Sequence, residues 1–132
     1  KCGLPDSTDC STYATICIVN RIQFIVHIQD DRSSPYLEWR DALPAKDRLK
    51  LDATILKISQ YGLGVALKMQ WAKKLDADIW EIRSQQSNNI QRVCFFHRIG
   101  DQYVITHGFT KKTQKTPRNE IKKAHDIMRQ YQ

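Results

Sequence analysis

Four basic residues, Arg83, Arg92, Lys111 and Lys112, fall where strand alternation aims them toward one groove. In Ile79–Ser84, Trp80 and Ile82 point one way while Glu81 and Arg83 point the other. In Ile90–Arg98, Arg92 shares a face with Ile90, Cys94, Phe96 and Arg98, and Gln102–Phe109 brings His107 and Phe109 to one face just before Lys111 and Lys112. Metal-free cleavage of an RNA phosphodiester needs the 2′-hydroxyl deprotonated, the leaving 5′-oxygen protonated and the crowded phosphorane stabilised by cations placed in advance. Lys, Arg and His supply all three. Arg suits bidentate contact with phosphate, and a Lys crowded among other cations has a lowered pKa and can act as base. On this reading Lys112→Ala abolishes cleavage in a folded protein. A purely structural use competes for Arg83 and Arg92, namely ion pairing with Glu81 or a neighbour on the sheet. His27 and His125 read as structural and Tyr103 as packed. His107 precedes the basic loop and His97 sits near a strand end, so either could approach substrate, their facing being left open by the sequence. Aromatic rings beside the groove can stack on bases.

The elements that must position these groups follow from periodicity and punctuation. Ile22, Phe24, Val26 and Ile28 alternate with Arg21, Gln23 and His27, predicting a strand over Arg21–Ile28. Ser34-Pro35 reads as an N-cap followed by proline at the first helical position, opening a short helix through Tyr36, Leu37 and Trp39 that Pro44 ends. A second helix carries Leu51, Ile55 and Ile58, with Leu49 and Leu56 widening the stripe, Lys46, Asp47, Lys50 and Lys57 outside, and Gly62 as its stop. Gly62 to Asp78 reads as a mobile connection ending in the basic pair Lys73-Lys74. The three strands named above form an antiparallel meander joined at Gln85–Asn89 and Gly100-Asp101. Thr116-Pro117 then caps a last helix with Ile121, Ala124, Met128 and Tyr131 as its apolar stripe. The order predicts an α+β fold, an antiparallel sheet packed with two N-terminal helices and one C-terminal helix.

With 132 residues the chain fits one domain. Residues 1–20 read as an extension of open role, with a short strand near Thr15–Val19, and 21–132 as the domain proper. A net charge of +7 and a pI near 9.4 point first to a nucleic-acid partner. From Phe109 to Gln132 seven Lys or Arg stand against Glu120 and Asp126. Cys2, Cys10, Cys17 and Cys94 have no paired CxxC spacing, so neither metal nor cofactor is expected, and reduced thiols with short apolar runs indicate a soluble cytoplasmic protein without a membrane partner.

The segments Lys74-Leu75-Asp76, Ile79-Trp80-Glu81-Ile82-Arg83, Arg92-Val93-Cys94-Phe95-Phe96 and Phe109-Thr110-Lys111-Lys112-Thr113-Gln114-Lys115-Thr116-Pro117, in that order, resemble the phage-derived, HigB-type branch of the RelE/ParE toxin superfamily. The likeness runs from about Arg21 to Tyr131. It implies a RelE-like fold and a toxin that enters the ribosomal A site, cleaves translated mRNA and is neutralised by a cognate antitoxin, often a helix-turn-helix protein. By the same likeness, Arg83 and Arg92 would hold the scissile phosphate, and Lys111 and Lys112 would supply catalytic or phosphate-binding cations. Lys73, Lys74, Lys115 and His107 are expected RNA contacts. Lys122, Lys123 and Arg129 read as a solvated face that attracts RNA without cutting it. The superfamily also contains the ParE branch, whose members poison DNA gyrase without ribonuclease activity, and that is the competing expectation.

Overall fold

The computed structural model describes residues 20–112 and 115–132. The expected strand at Thr15–Val19, the cysteines Cys2, Cys10 and Cys17, and Thr113 and Gln114 lie outside the described residues. In chain order the described elements are β1 (Gln23–Val26), α1 (Pro35–Asp41), α2 (Ala45–Tyr61), α3 (Leu63–Lys68), β2 (Ala72–Lys74), β3 (Ile79–Gln86), β4 (Asn89–Ile99), β5 (Gln102–Lys111) and α4 (Arg118–Arg129). They build an α+β fold around a five-stranded sheet of order β1-β5-β4-β3-β2.

Local signals placed most of these elements. Ser34 caps α1, its Oγ accepting from the Leu37 N–H at 3.2 Å, with Pro35 in the first turn. Gly62, at φ 92°, closes α2 as expected. The β3–β4–β5 meander forms with antiparallel pairing throughout.

Five expectations are corrected. The sheet is mixed, because β1 pairs in parallel with β5 at the edge, Gln23 opposite Gln102 and Val26 opposite Ile105. The stretch after Gly62 is no mobile connection: it holds α3, whose Ala66 is fully buried, and β2, paired with β3. Leu49 and Leu56 do not widen the buried stripe of α2, being 65% and 53% exposed. Asp47 points inward instead, its carboxylate accepting from Asn89 Nδ2 at 2.9 Å and Gln91 Nε2 at 3.1 Å, so a side-chain network repays the cost of its burial. Finally, Ile28 lies past the end of β1 and is exposed, whereas His27 is buried and bonds through Nδ1 to the Tyr131 hydroxyl at 2.8 Å.

Each face of the sheet has its own core. On one face Ile82, Val93, Phe95 and Ile105 pack against Leu51 and Ile58 of α2, Tyr36 of α1 and Ala66 of α3. Phe24, Trp80, Phe95 and Tyr103 form an aromatic cluster there, with Phe24 and Phe95 edge to face at 5.2 Å. Such pairs each add about 0.5–1.5 kcal/mol beyond area burial. Trp39 of α1 lies directly on Gly108 of β5: a Cβ there would come within 2.2 Å of the indole ring. On the other face α4 sets Ala124, Met128 and Tyr131 over Ile79, Cys94, Phe96 and Val104. No helix among the described residues is long and apolar enough to cross a membrane.

Candidate active site

The second face is covered by α4 only at one end. At the other, register sets Lys73 opposite Glu81, Arg83 opposite Arg92, and Ile90 opposite Lys111. Residues directly opposite across a ladder share a face, so Lys73, Glu81, Arg83, Arg92 and Lys111 crowd together. Two like charges directly opposite destabilise a sheet. Here Glu81, 1% exposed, offsets them: its Oε2 lies 3.4 Å from Arg92 Nε and 4.0 Å from Arg83 Nε. Its Oε1 accepts a hydrogen bond from the Thr116 hydroxyl at 2.7 Å. Thr116 therefore anchors the entry to α4 and does not cap it, for the N-cap is Pro117, which offers no side-chain acceptor.

Lys111 faces this cluster because of a bulge. Cys94 pairs with His107 and Phe95 with Ile105, leaving Thr106 without a partner in register, and the Thr106 hydroxyl donates to the Cys94 carbonyl at 3.2 Å. The extra residue reverses the alternation of β5, so Ile105 joins the α1–α3 core while His107, Phe109 and Lys111 turn to the α4 face. Lys111 is only 7% exposed, and burial pushes its ammonium pKa below the ordinary lysine value. Arg92, Arg83 and Lys73 press the same way and Glu81 opposes them. Arg92 is similarly buried: burial lowers its pKa, Glu81 opposes and Arg83 adds to the shift. Its Nη1 donates to the Gln91 carbonyl at 3.0 Å, whereas Nε finds no acceptor in hydrogen-bonding geometry among the described residues.

The resulting cleft, about 160 Å³, is walled by Lys73 and Lys74 of β2, Glu81 and Arg83 of β3, Lys111 of β5, and Lys115 and Thr116 before α4. Lys73, Lys74 and Lys115 are exposed at its rim, with Lys74 Nζ 5.6 Å from the centre of the Trp80 ring. Lys112, just past β5, is exposed and does not line this cleft. His107 takes a different place from the expected RNA contact: it is 1% exposed beneath α4, its Nε2 2.9 Å from Glu120 Oε1 and its Nδ1 3.0 Å from Thr106 Oγ1. His97 sits far along β4, bonded to the Gly100 carbonyl. A larger hollow of about 530 Å³ between β1 and α2 has Phe24, Val26, Ile55 and Leu56 among its walls and holds none of these cations. Charge, not size, marks the site.

A family model described as "Phage derived protein Gp49-like (DUF891)" matches residues 38–129, a span that contains every residue of the cleft. The chain belongs to this family. Gp49-like proteins are part of the RelE/ParE-like toxin superfamily, so the fold and the cationic cleft of this Gp49-like protein stand in a toxin lineage, in which a cognate antitoxin is the implied partner. No curated protein matches the sequence. Sequence reasoning missed Glu81 as a member of the site, treating it only as a competing ion-pair partner. The signal was present in its spacing, one carboxylate two residues before Arg83 on the same strand face. It also missed the role of Thr116, which depends on a contact 35 residues away in the chain.

Proposed function

We propose that this Gp49-like protein is the endoribonuclease toxin of a toxin–antitoxin pair, cleaving mRNA on the ribosome by cation chemistry without a metal, in the cytoplasm, and restrained by a helix-turn-helix antitoxin. The observation that carries the proposal is the clustering of Arg83, Arg92, Lys73 and the desolvated Lys111 around one buried carboxylate, Glu81. Such a set is costly to fold and profitable only when an anion occupies it. A phosphodiester seated between Arg83 and Arg92 has its developing phosphorane charge met by guanidinium groups already in position. Glu81 and the Gln91 carbonyl hold Arg92 while Lys111, eased toward its neutral amine, takes the proton of the 2′-hydroxyl. The oxygen so freed attacks phosphorus, the bond to the 5′-oxygen breaks as that oxygen takes a proton from solvent water, and a 2′,3′-cyclic phosphate is left. Lys73, Lys74 and Lys115 at the rim bind flanking phosphates.

Mapping of mRNA 5′ ends after induced expression tests reaction and site together. Cuts within translated codons are expected for the native chain, and Arg83→Ala should lower their frequency by about 10²–10³-fold, the loss typical of removing one donor to a developing oxyanion. DNA damage with intact mRNA would instead favour gyrase poisoning.

A further inference from the structure

Arg83 does not line one hollow only. Beyond the cleft, on its side away from α4, lies a second of about 250 Å³ walled by Gln70, Arg83, Ser84, Gln85 and Arg92. A third, with Gln70, Lys73, Lys74 and Arg83 among its walls, adjoins both. The second differs in chemistry. Apart from the two arginines it is lined by carboxamides and a hydroxyl, with neither a carboxylate nor a lysine. The Gln85 amide is held by donation to the Ser87 carbonyl at 3.0 Å, and the Ser84 hydroxyl is buried without a hydrogen-bond partner among the described residues.

Gln70 supplies an independent observation. It follows α3 in a two-bond terminator, Gln70 N–H to the Leu67 carbonyl at 3.2 Å and Trp71 N–H to the Ala66 carbonyl at 2.9 Å, and its φ is +64°. That position strongly favours glycine, because a Cβ there crowds the backbone. A glutamine held where glycine folds more cheaply implies that the side chain is kept for something other than the fold.

We propose that this hollow is a nucleobase subsite, receiving the base next to the scissile phosphate, with Gln70 reading its hydrogen-bonding edge; the proposal rests on the ribonuclease reading above. A carboxamide presents a donor and an acceptor side by side, the pattern that base edges match, while a further phosphate would find no cation there beyond the two arginines already engaged. Unpaired RNA offers such edges because its bases can be splayed from the stack.

The test is the nucleotide preference at positions flanking the cut, taken from 5′-end maps of cells expressing the native chain, Gln70→Gly or Gln85→Ala. The native chain should prefer one base at one flanking position, and Gln70→Gly should lower the ratio of preferred to disfavoured cuts by about tenfold. Gln85→Ala should lower it at the same position. Because glycine fits φ +64°, purified Gln70→Gly should melt at an unchanged or higher temperature, so lost preference cannot be laid to misfolding. Cutting with no flanking preference by the native chain, or an undiminished preference in both variants, overturns the subsite. Absence of any cuts by the native chain overturns the ribonuclease reading itself.

Discussion

At Lys111, burial and three neighbouring cations act in one direction and Glu81 alone in the other. A base is made this way without a histidine, and the cost falls on stability. Because the folded pKa lies below the ordinary 10.5, the unfolded chain binds the proton more tightly, and the penalty eases as pH rises through that interval. The same sign governs the reaction: cleavage of ribosome-bound mRNA should rise with pH as Lys111 loses its proton. Lys111→Arg keeps the charge but cannot yield a base, and should slow cleavage by about 10²–10⁴-fold. Lys112→Ala, at an exposed position outside the cleft, should have a much smaller effect, which reverses the weight the sequence alone gave that residue. An inactive Lys112→Ala beside an active Lys111→Arg would sink the assignment. Since Glu81 raises the Lys111 pKa, Glu81→Gln should also move the rise in rate to lower pH while reducing its height.

The strand that carries Lys111 is shaped by Thr106 and Gly108 together. The bulge turns the C-terminal half of β5, and Gly108, in register with Val93, then presents its bare backbone to Trp39. Gly108→Ala should cost about 1–3 kcal/mol by overpacking, read as a lower urea midpoint. The loss should largely vanish in a Trp39→Ala background, because the ring that is struck is gone. Additive losses in the double variant would show that Gly108 is kept for its backbone conformation and not for the close approach. On the opposite face of the sheet Arg40 of α1 bonds Asp52 of α2 through Nε at 2.9 Å, tying together two helices of that core. The precision of the cleft thus derives from packing on the opposite face of the sheet.

Across the whole molecule, two buried histidines tie α4 and the chain end to the sheet: His107 to Glu120, and His27 to Tyr131. Burial lowers both pKa values below 6.5, against the pull of Glu120 on His107 and of Asp30 on His27. The unfolded state therefore binds more protons below 6.5, and stability present above that value is lost as pH falls toward the folded values. The melting temperature should drop between about pH 7 and pH 5, a window above the carboxylate range, and the drop should flatten in a His27→Asn, His107→Gln variant. Parallel curves for native chain and variant would place the acid sensitivity elsewhere. The outer face of α4 behaves differently: exposed Lys122 and Arg129 both pair with Asp126, at 3.0 Å each, contacts of little stabilising worth that leave a net basic face to attract RNA.

The sequence by itself determined what local chemistry encodes. The Ser34-Pro35 cap, the stop at Gly62, the meander of β3 to β5 and the apolar stripe of α4 all follow from periodicity and punctuation within a few residues. Tertiary structure decided the rest. The parallel partner of β1, the inward turn of Asp47, the burial of His107 and the hold of Thr116 on Glu81 each join residues far apart in the chain. The sharpest case is Lys111 against Lys112. Alternation gives a period of two but no register, and the unpartnered Thr106 shifts that period by one residue, so a bulge five residues upstream chose which lysine enters the cleft.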